Sequence, residues 1–312
     1  MKVLVAGATG GIGQSLVPQL MAAGHEVTGM IRSESSAAAL RAQGANVVLA
    51  DGLDGAAVKE AVASVRPEVV VHQMTALRGS IDFKKFDESF ALTNRLRTEG
   101  TDHLLAASQA AGVRRFVVQS YAGWNIKPGP TPLGAEADGL NPNPLPGMRE
   151  TLAAMKHLES VVTNADGIEG VVLRYASFYG PTADLGKGGS VVELIKKRRM
   201  PIVGAGSGVW SFIHYDDAAA VTVKAIEGDA TGIYNIADDD PAPISVWLPE
   251  LASILGAKRP FKVPTWVGKL AVGDVGVAAF TTWRGVDNSL AKKTFNWQPG
   301  YSSWREGFRK GL

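Results

Sequence analysis

Seven residues directly behind the first apolar run have the types and spacing to hold an anion. Gly7-Ala8-Thr9-Gly10-Gly11-Ile12-Gly13 sets glycines at G-x-x-G-x-x-G, after Lys2–Ala6 (KVLVA) and ahead of a helical pattern. A backbone that must turn tightly, approach a diphosphate and open a helix with free N–H groups needs glycine at such points. The spacing alone is common. Between an N-terminal strand and a helix it reads as a dinucleotide-binding turn formed by Gly7, Thr9, Gly10, Gly11, Ile12 and Gly13.

Few other chemistries are open to this chain. With 0 Cys there is no disulfide, no thiolate nucleophile and no zinc-thiolate site, and the usage fits a cytoplasmic protein. His25, His72, His103, His157 and His214 show neither i,i+4 nor H-E-x-x-H spacing, so no metal site is expected. No G-x-S-x-G elbow occurs, Gly186–Ser190 lacks Walker spacing, and Gly204–Gly208 reads as a hairpin turn. The 32 basic and 30 acidic residues leave a charge of +2, which argues for neither a nucleic-acid nor a membrane-surface partner. No run reaches the roughly 20 apolar residues of a membrane helix. The apolar stretch Trp266–Trp283 carries Lys269 and Asp274 and reads as buried helix or cap. The opening strand pattern leaves no room for a signal peptide, so a soluble intracellular protein is expected.

The elements that must position the glycine turn are legible as βαβ units. Apolar runs at Lys2–Ala6, His25–Ile31, Asn46–Ala50, Glu68–His72, Arg115–Gln119 and Gly170–Arg174 predict six parallel strands. Helical spacing predicts helices over 12–21, bent at Pro18, and over 35–43, 55–64, 90–111 and 148–163. The expected fold is α/β, a doubly wound parallel Rossmann sheet with a smaller C-terminal substrate-binding domain. The segment Tyr121–Gly147 holds six prolines and little pattern, and reads as a lid or substrate loop opening on Trp124 and Asn125.

In order and spacing, GATGGIG (7–13), ADGLD (50–54), GTDHLLAASQAAGVRRFVV (100–118), LRYASFYGP (173–181), FIHYDDAAA (212–220), YNIADD (234–239) and FNWQP (295–299) resemble the extended short-chain dehydrogenase/reductase superfamily, in its NAD-dependent epimerase/dehydratase-like branch. The resemblance spans nearly the whole chain. It implies a Rossmann domain over about 1–180 and a mainly substrate-binding domain over 181–312, with parts of about 205–240 returning to the sheet. Carried over by position, Asp51 and Gly52 would meet the adenine, although Asp51 also reads as a turn cap. Gln73, Met74 and Thr75 would line the ribose and nicotinamide side, with Met74 reading equally as core. Gln119, Tyr175 and Ser177 would stand at the nicotinamide end.

Three departures from the resemblance matter. Where NAD-preferring members carry an acid after strand two, this chain has Arg32-Ser33, which favours the 2′-phosphate of NADP over NAD. The Y-x-x-x-K pair is missing from the predicted helix 148–163. Counting back from Lys156 gives Leu152, while anchoring on Glu159 puts Met155 and Thr151 at the Lys and Tyr positions. Lys156 is still expected near the nicotinamide ribose, with an exposed helix position the alternative. Tyr121, next to Ser120 after strand five, is the substitute acid, with simple packing as the competing reading. Trp210 replaces the Arg that holds a diphosphate in nucleotide-sugar enzymes, pointing to a small, largely apolar substrate. Asn94 and Arg97 lie one turn apart, with Arg97 where relatives often carry Asn; a solvated helix face is the alternative.

The resulting expectation is an NADP-dependent reductase or dehydrogenase of a small carbonyl or alcohol with a non-standard proton donor. An epimerase or dehydratase using the cofactor transiently, and a non-catalytic NADP-binding sensor, are the alternatives. A small-molecule substrate is the expected partner, and a homodimer is left open.

Overall fold

The computed structural model describes residues 1–77 and 81–311. Seven parallel strands form the central sheet: β1 (Lys2–Ala6), β2 (Glu26–Ile31), β3 (Asn46–Leu49), β4 (Val69–His72), β5 (Arg115–Tyr121), β6 (Glu169–Tyr175) and β7 (Gly232–Ile236). Their spatial order is β7-β6-β5-β4-β1-β2-β3. The chain winds outward from β1 in both directions, so the order reverses between β1 and β4, where a crevice opens at the carboxyl edge. Gly232–Ile236 is the seventh strand, within the stretch of about 205–240 expected to return to the sheet.

Side-chain alternation assigns the two faces. Val3 and Val5 enter one core with Leu16, Val17 and Leu20 of α1 (Gly11–Ala22) and with the helix Tyr215–Glu227. Leu4 and Ala6 enter the opposite core, with α3 (Gly55–Val65), α5 (Glu99–Ala110) and α6 (Arg149–Thr163). Covering both faces explains why β1 is apolar at every buried position and β4 at all but His72. Each fully buried Val or Leu contributes about 1.5–3 kcal/mol. Pro18 stays within α1 on its exposed side. Asp54 caps α3, its carboxylate accepting from the Ala56 and Ala57 N–H groups.

Three segments differ from the sequence reading. The single helix expected over 90–111 is two, α4 (Phe86–Arg97) and α5, separated at Thr98, whose ψ of −84° leaves the helix. The Thr98 hydroxyl donates to the Asn94 carbonyl, a local bond that competes with the continuing ladder. The stretch Trp266–Trp283 contributes the helix Thr265–Thr281, interrupted at Gly273 (φ +70°), and its Trp266 is 68% exposed rather than buried. No helix among the described residues is long and apolar enough to cross a membrane. The proline-rich loop is tied down: Leu133–Gly134 pairs with Gly285–Val286, and Arg284 donates to Lys127 O at 2.6 Å and Thr131 O at 2.9 Å.

Candidate active site

At the crevice between β1 and β4, Gly7 turns the chain with φ +90°, and a Cβ there would lie 2.7 Å from the Gln73 carbonyl. Only glycine permits that approach of two strand ends. Helix α1 then starts at Gly11 with Gly10 as its cap residue, no capping side chain and no acid in its first turn. The first N–H groups of α1 therefore remain free for an anion. A Cβ on Gly13 would collide with the Ala8 carbonyl, so that glycine sets how closely helix and turn pack. A continuous cleft of about 1340 Å³ leads away from this turn, large enough for a dinucleotide and a small substrate together. The residues present fit such a cofactor.

On the adenosine side, Arg32 follows β2, exposed at the cleft, and makes no ion pair among the described residues. The nearby acid Glu34 is occupied by Arg41. Ser33 is exposed but not part of the cleft wall; its Oγ is 2.8 Å from Ser35 Oγ. Asp51 reaches the cleft and also accepts from Leu53 N at 3.0 Å, an Asx turn that fixes its carboxylate. Gly52 packs against Met74: a Cβ there would lie 2.6 Å from the thioether sulfur, so any larger residue would displace the Met74 side chain. Met74 and Thr75 both line the cleft.

Beyond β4, β5 and β6 the sequence-derived residues divide. Gln73, Gln119, Tyr121 and Ser177 line the cleft, with Tyr121 Oη 3.2 Å from Ser177 Oγ. Ser120 points to the other face of β5 and donates to Glu159 at 2.7 Å. Glu159 also receives two bonds from buried Arg174, at 2.8 and 2.6 Å. Tyr175 is fully buried, its hydroxyl 2.6 Å from Thr222 Oγ1 and reached by Gln73 Nε2 at 3.4 Å. Burial pushes that phenol up to about 12. Burial also raises the Tyr121 phenol, and no cation opposes the shift. Lys156 is exposed on α6 and is not part of the cleft wall, so it takes the alternative, exposed helix position rather than one near the nicotinamide ribose.

Helix α6 accounts for the missing pair. Thr151, the Tyr position in the register anchored on Glu159, is fully buried; its hydroxyl donates to Asp87 at 2.6 Å and accepts from Asn94 Nδ2 at 3.1 Å. Met155, in the Lys position, packs against Phe86, Phe90, Trp124 and Leu152. The inner face of α6 thus carries no ionisable acid toward the cleft.

The outer half of the cleft is aromatic. Trp124 packs edge-on to Phe86 at 5.3 Å and lies 6.3 Å from Tyr121. Trp210 lines the cleft, stacks on Trp283 at 5.6 Å and donates its indole N–H to Ala279 O at 3.0 Å. Asn125 is fully buried outside this wall and donates to Tyr121 O at 2.5 Å. Sequence reasoning missed Phe83, Phe86, Phe90 and Trp283, although F-K-K-F-x-x-x-F at 83–90 is a helical aromatic stripe. It also left Arg97, which lines the cleft, open between a local polar contact and a solvated face.

A parallel doubly wound sheet with an uncapped glycine turn at its switch point defines an NAD(P)-dependent enzyme. The chain belongs to the NAD dependent epimerase/dehydratase family, whose model matches residues 3–237. Among its relatives, 3-diazoavenalumate denitrifying reductase of a Streptomyces species is 43% identical over 98% of this chain and 99% of that protein. The 2-alkyl-3-oxoalkanoate reductase of Stenotrophomonas maltophilia is 28% identical over 88% of this chain and 82% of that one. The solved UDP-glucose 4-epimerase of Thermotoga maritima, with UDP-glucose, superposes with a TM-score of 0.76 at 24% identity, covering 99% and 96% of the two chains. This protein is an NAD(P)-dependent oxidoreductase.

Proposed function

We propose that this enzyme is an NADPH-dependent reductase of a small aromatic substrate whose reduction requires no acid from the protein, with an aromatic diazo group as the acceptor. The observation that carries this reading is the burial of Thr151 and Met155, the Tyr and Lys positions in the register anchored on Glu159. Arg32, unpaired beside the adenosine end, supports NADP over NAD. The bound dinucleotide supplies a hydride.

Hydride addition to a carbonyl leaves an alkoxide that needs a proton or strong donors. Addition to the terminal nitrogen of an aryl diazonium is different: cation plus hydride gives a neutral aryldiazene. The C–N bond then breaks with loss of N₂, and the ring carbon takes the hydrogen, directly or by exchange with water. No net proton is consumed. The protein's part is to hold an aromatic ring and exclude water, which the stacked walls at Trp124, Phe86 and Trp210 suit. The name of the Streptomyces relative couples loss of nitrogen to reduction of a diazo compound, in support of the same reading.

A second reading, reduction of a small carbonyl, is favoured by Tyr121 and Ser177, two hydroxyls 3.2 Å apart on the cleft wall. The test offers the enzyme 4-methoxybenzenediazonium and, separately, a panel of aryl aldehydes and ketones with NADPH. The expected result is N₂ release matched mole for mole by NADPH oxidation, above the protein-free rate. Oxidation of NADPH by the carbonyl panel, with the diazo compound reduced only at the protein-free rate, would overturn the reading in favour of the second.

A further inference from the structure

Arg97 ends α4 with 5% of its surface exposed, on the wall of the cleft. Its guanidinium lies 5.6 Å from the Phe90 ring centroid, and it makes no hydrogen bond or ion pair among the described residues. The Nη1 atom is sealed from solvent without a partner among the described residues. Two other buried arginines, Arg174 and Arg115, also keep sealed nitrogens without a hydrogen bond, but each is paired with a carboxylate. Arg174 holds Glu159 through two bonds, and Arg115 holds Glu169 at 2.9 Å and Ala230 O at 2.7 Å.

Neighbouring groups do not complete Arg97. Glu159 acts on it electrostatically, but the Glu159 oxygens already receive Arg174 and Ser120. His72, also nearby, is buried and neutral: its Nδ1 accepts from Met74 N at 3.1 Å and its Nε2 faces Leu96 O at 3.2 Å. Burial pushes Arg97 down to about 10, which leaves it a cation at neutral pH. An unpaired buried cation is strongly unfavourable, so its place on a ligand cleft calls for an anionic ligand. The cofactor's diphosphate is served by the Gly7–Gly13 turn and the free N–H groups at the start of α1. The ribose and carboxamide of nicotinamide are neutral.

We infer that Arg97 is the oxyanion site of the substrate. It takes a carboxylate or phenolate carried by an aromatic compound, whose ring lies against Phe90 and Trp124. A planar two-pronged donor suits either anion, and its position on α4 fixes which end of the substrate faces the reacting centre. The inference rests on this cleft being the reductase site, and not on which group is reduced.

The test uses the full-length protein loaded with NADP⁺, so that no turnover occurs, and reads binding by tryptophan fluorescence. Two matched pairs serve as probes: cinnamate with methyl cinnamate, and 4-nitrophenol with 4-nitroanisole. Wild type should bind at least one anion about 10-fold or more tighter than its neutral partner, as a charge-assisted contact requires. The preferred pair tells carboxylate from phenolate. If phenolate is the ligand, bound 4-nitrophenol should also show its ionised visible band at a pH where the free compound is protonated. Arg97→Met should lose the preference while still binding NADP⁺ and the neutral partner, and Arg97→Lys should keep part of it. Equal binding within both pairs in the wild type overturns the proposal, as does a preference that survives in Arg97→Met. If Arg97→Met does not fold, the wild-type comparison and Arg97→Lys decide, an unchanged band and preference in the latter counting against a guanidinium site. Anion preference without diazo reduction would overturn the proposed reaction and leave this site standing.

Discussion

Asp87 of α4 caps α6 through Thr151: its Oδ1 accepts from the Thr151 N–H at 2.9 Å and from the Thr151 hydroxyl at 2.6 Å, and its Oδ2 from Glu150 N at 3.2 Å. The cap residue of α6 itself, Met148, has no side chain able to do this. A carboxylate at a helix N-terminus satisfies free N–H groups and meets the positive end of the helix dipole. Thr151 is therefore a structural joint between two helices. Thr151→Val should destabilise the protein by about 1–3 kcal/mol, the range for losing bonds to a charged acceptor, and leave kcat within a few-fold of wild type. Chemical denaturation and steady-state kinetics on the same preparations check this. A collapse of kcat in a stably folded variant would make the Thr151 hydroxyl part of the chemistry.

Tyr121→Phe separates the two proposed reactions. The phenol is half-buried, raised by loss of solvent, and bonded among the described residues only to Ser177, with no cation to draw its proton away. Under diazo reduction the substitution should cost less than about 10-fold in kcat, since no step calls on an acid. Under carbonyl reduction it should cost about 10²–10⁴-fold, the range for one acid–base group. Fluorescence titration with NADPH should show the same cofactor affinity in both proteins, so a loss of rate can be assigned to chemistry.

Much of this site could be read from residue order, because the glycine turn and the strand–helix alternation are local. The side-chain directions could not. On β5, Gln119 and Tyr121 face the cleft, whereas Ser120 between them turns to Glu159 on the other face. A strand's two-residue period forbids all three from sharing one wall. Tyr175 looked like a cleft residue by position, yet its hydroxyl is held in the core by Thr222. Arg97 stayed ambiguous because a continuous helix over 90–111 gives no reason for a buried cation there. The break at Thr98 ends α4 at Arg97, beside the carboxyl edge of the sheet.

Arg32 tests the cofactor. It stands at the cleft after β2 without an ion pair among the described residues, in the place from which an acid would repel a 2′-phosphate. Wild type should bind NADPH more tightly than NADH by calorimetry, and Arg32→Ala should shrink that advantage by about 1–3 kcal/mol, the worth of a charge-assisted contact. Equal affinity of the wild type for the two cofactors would count against NADP.

His72 gives the fold an acid limit that can be measured apart from activity. Its two ring nitrogens sit between a donor, the Met74 N–H, and an acceptor, the Leu96 carbonyl, which selects the neutral ring with hydrogen on Nε2. Burial, aided by the positive charge of Arg97, pulls its pKa from 6.5 down to about 4. Because the folded value lies below the unfolded one, the unfolded chain binds the extra proton first. The contribution of His72 is therefore complete above about pH 6.5 and is lost as the pH falls toward 4. Between pH 7.5 and 4.5 that loss is about 2–3 kcal/mol for this group alone. Other groups also titrate in this range, so the measurement is a difference: urea unfolding of wild type and His72→Asn at both pH values. The variant should be the less stable protein at pH 7.5, and its deficit should shrink by about 2–3 kcal/mol at pH 4.5, since it has no ring to protonate. A deficit that is the same at both pH values would mean that His72 keeps an ordinary pKa in the folded protein, and that the acid limit belongs to the carboxylates.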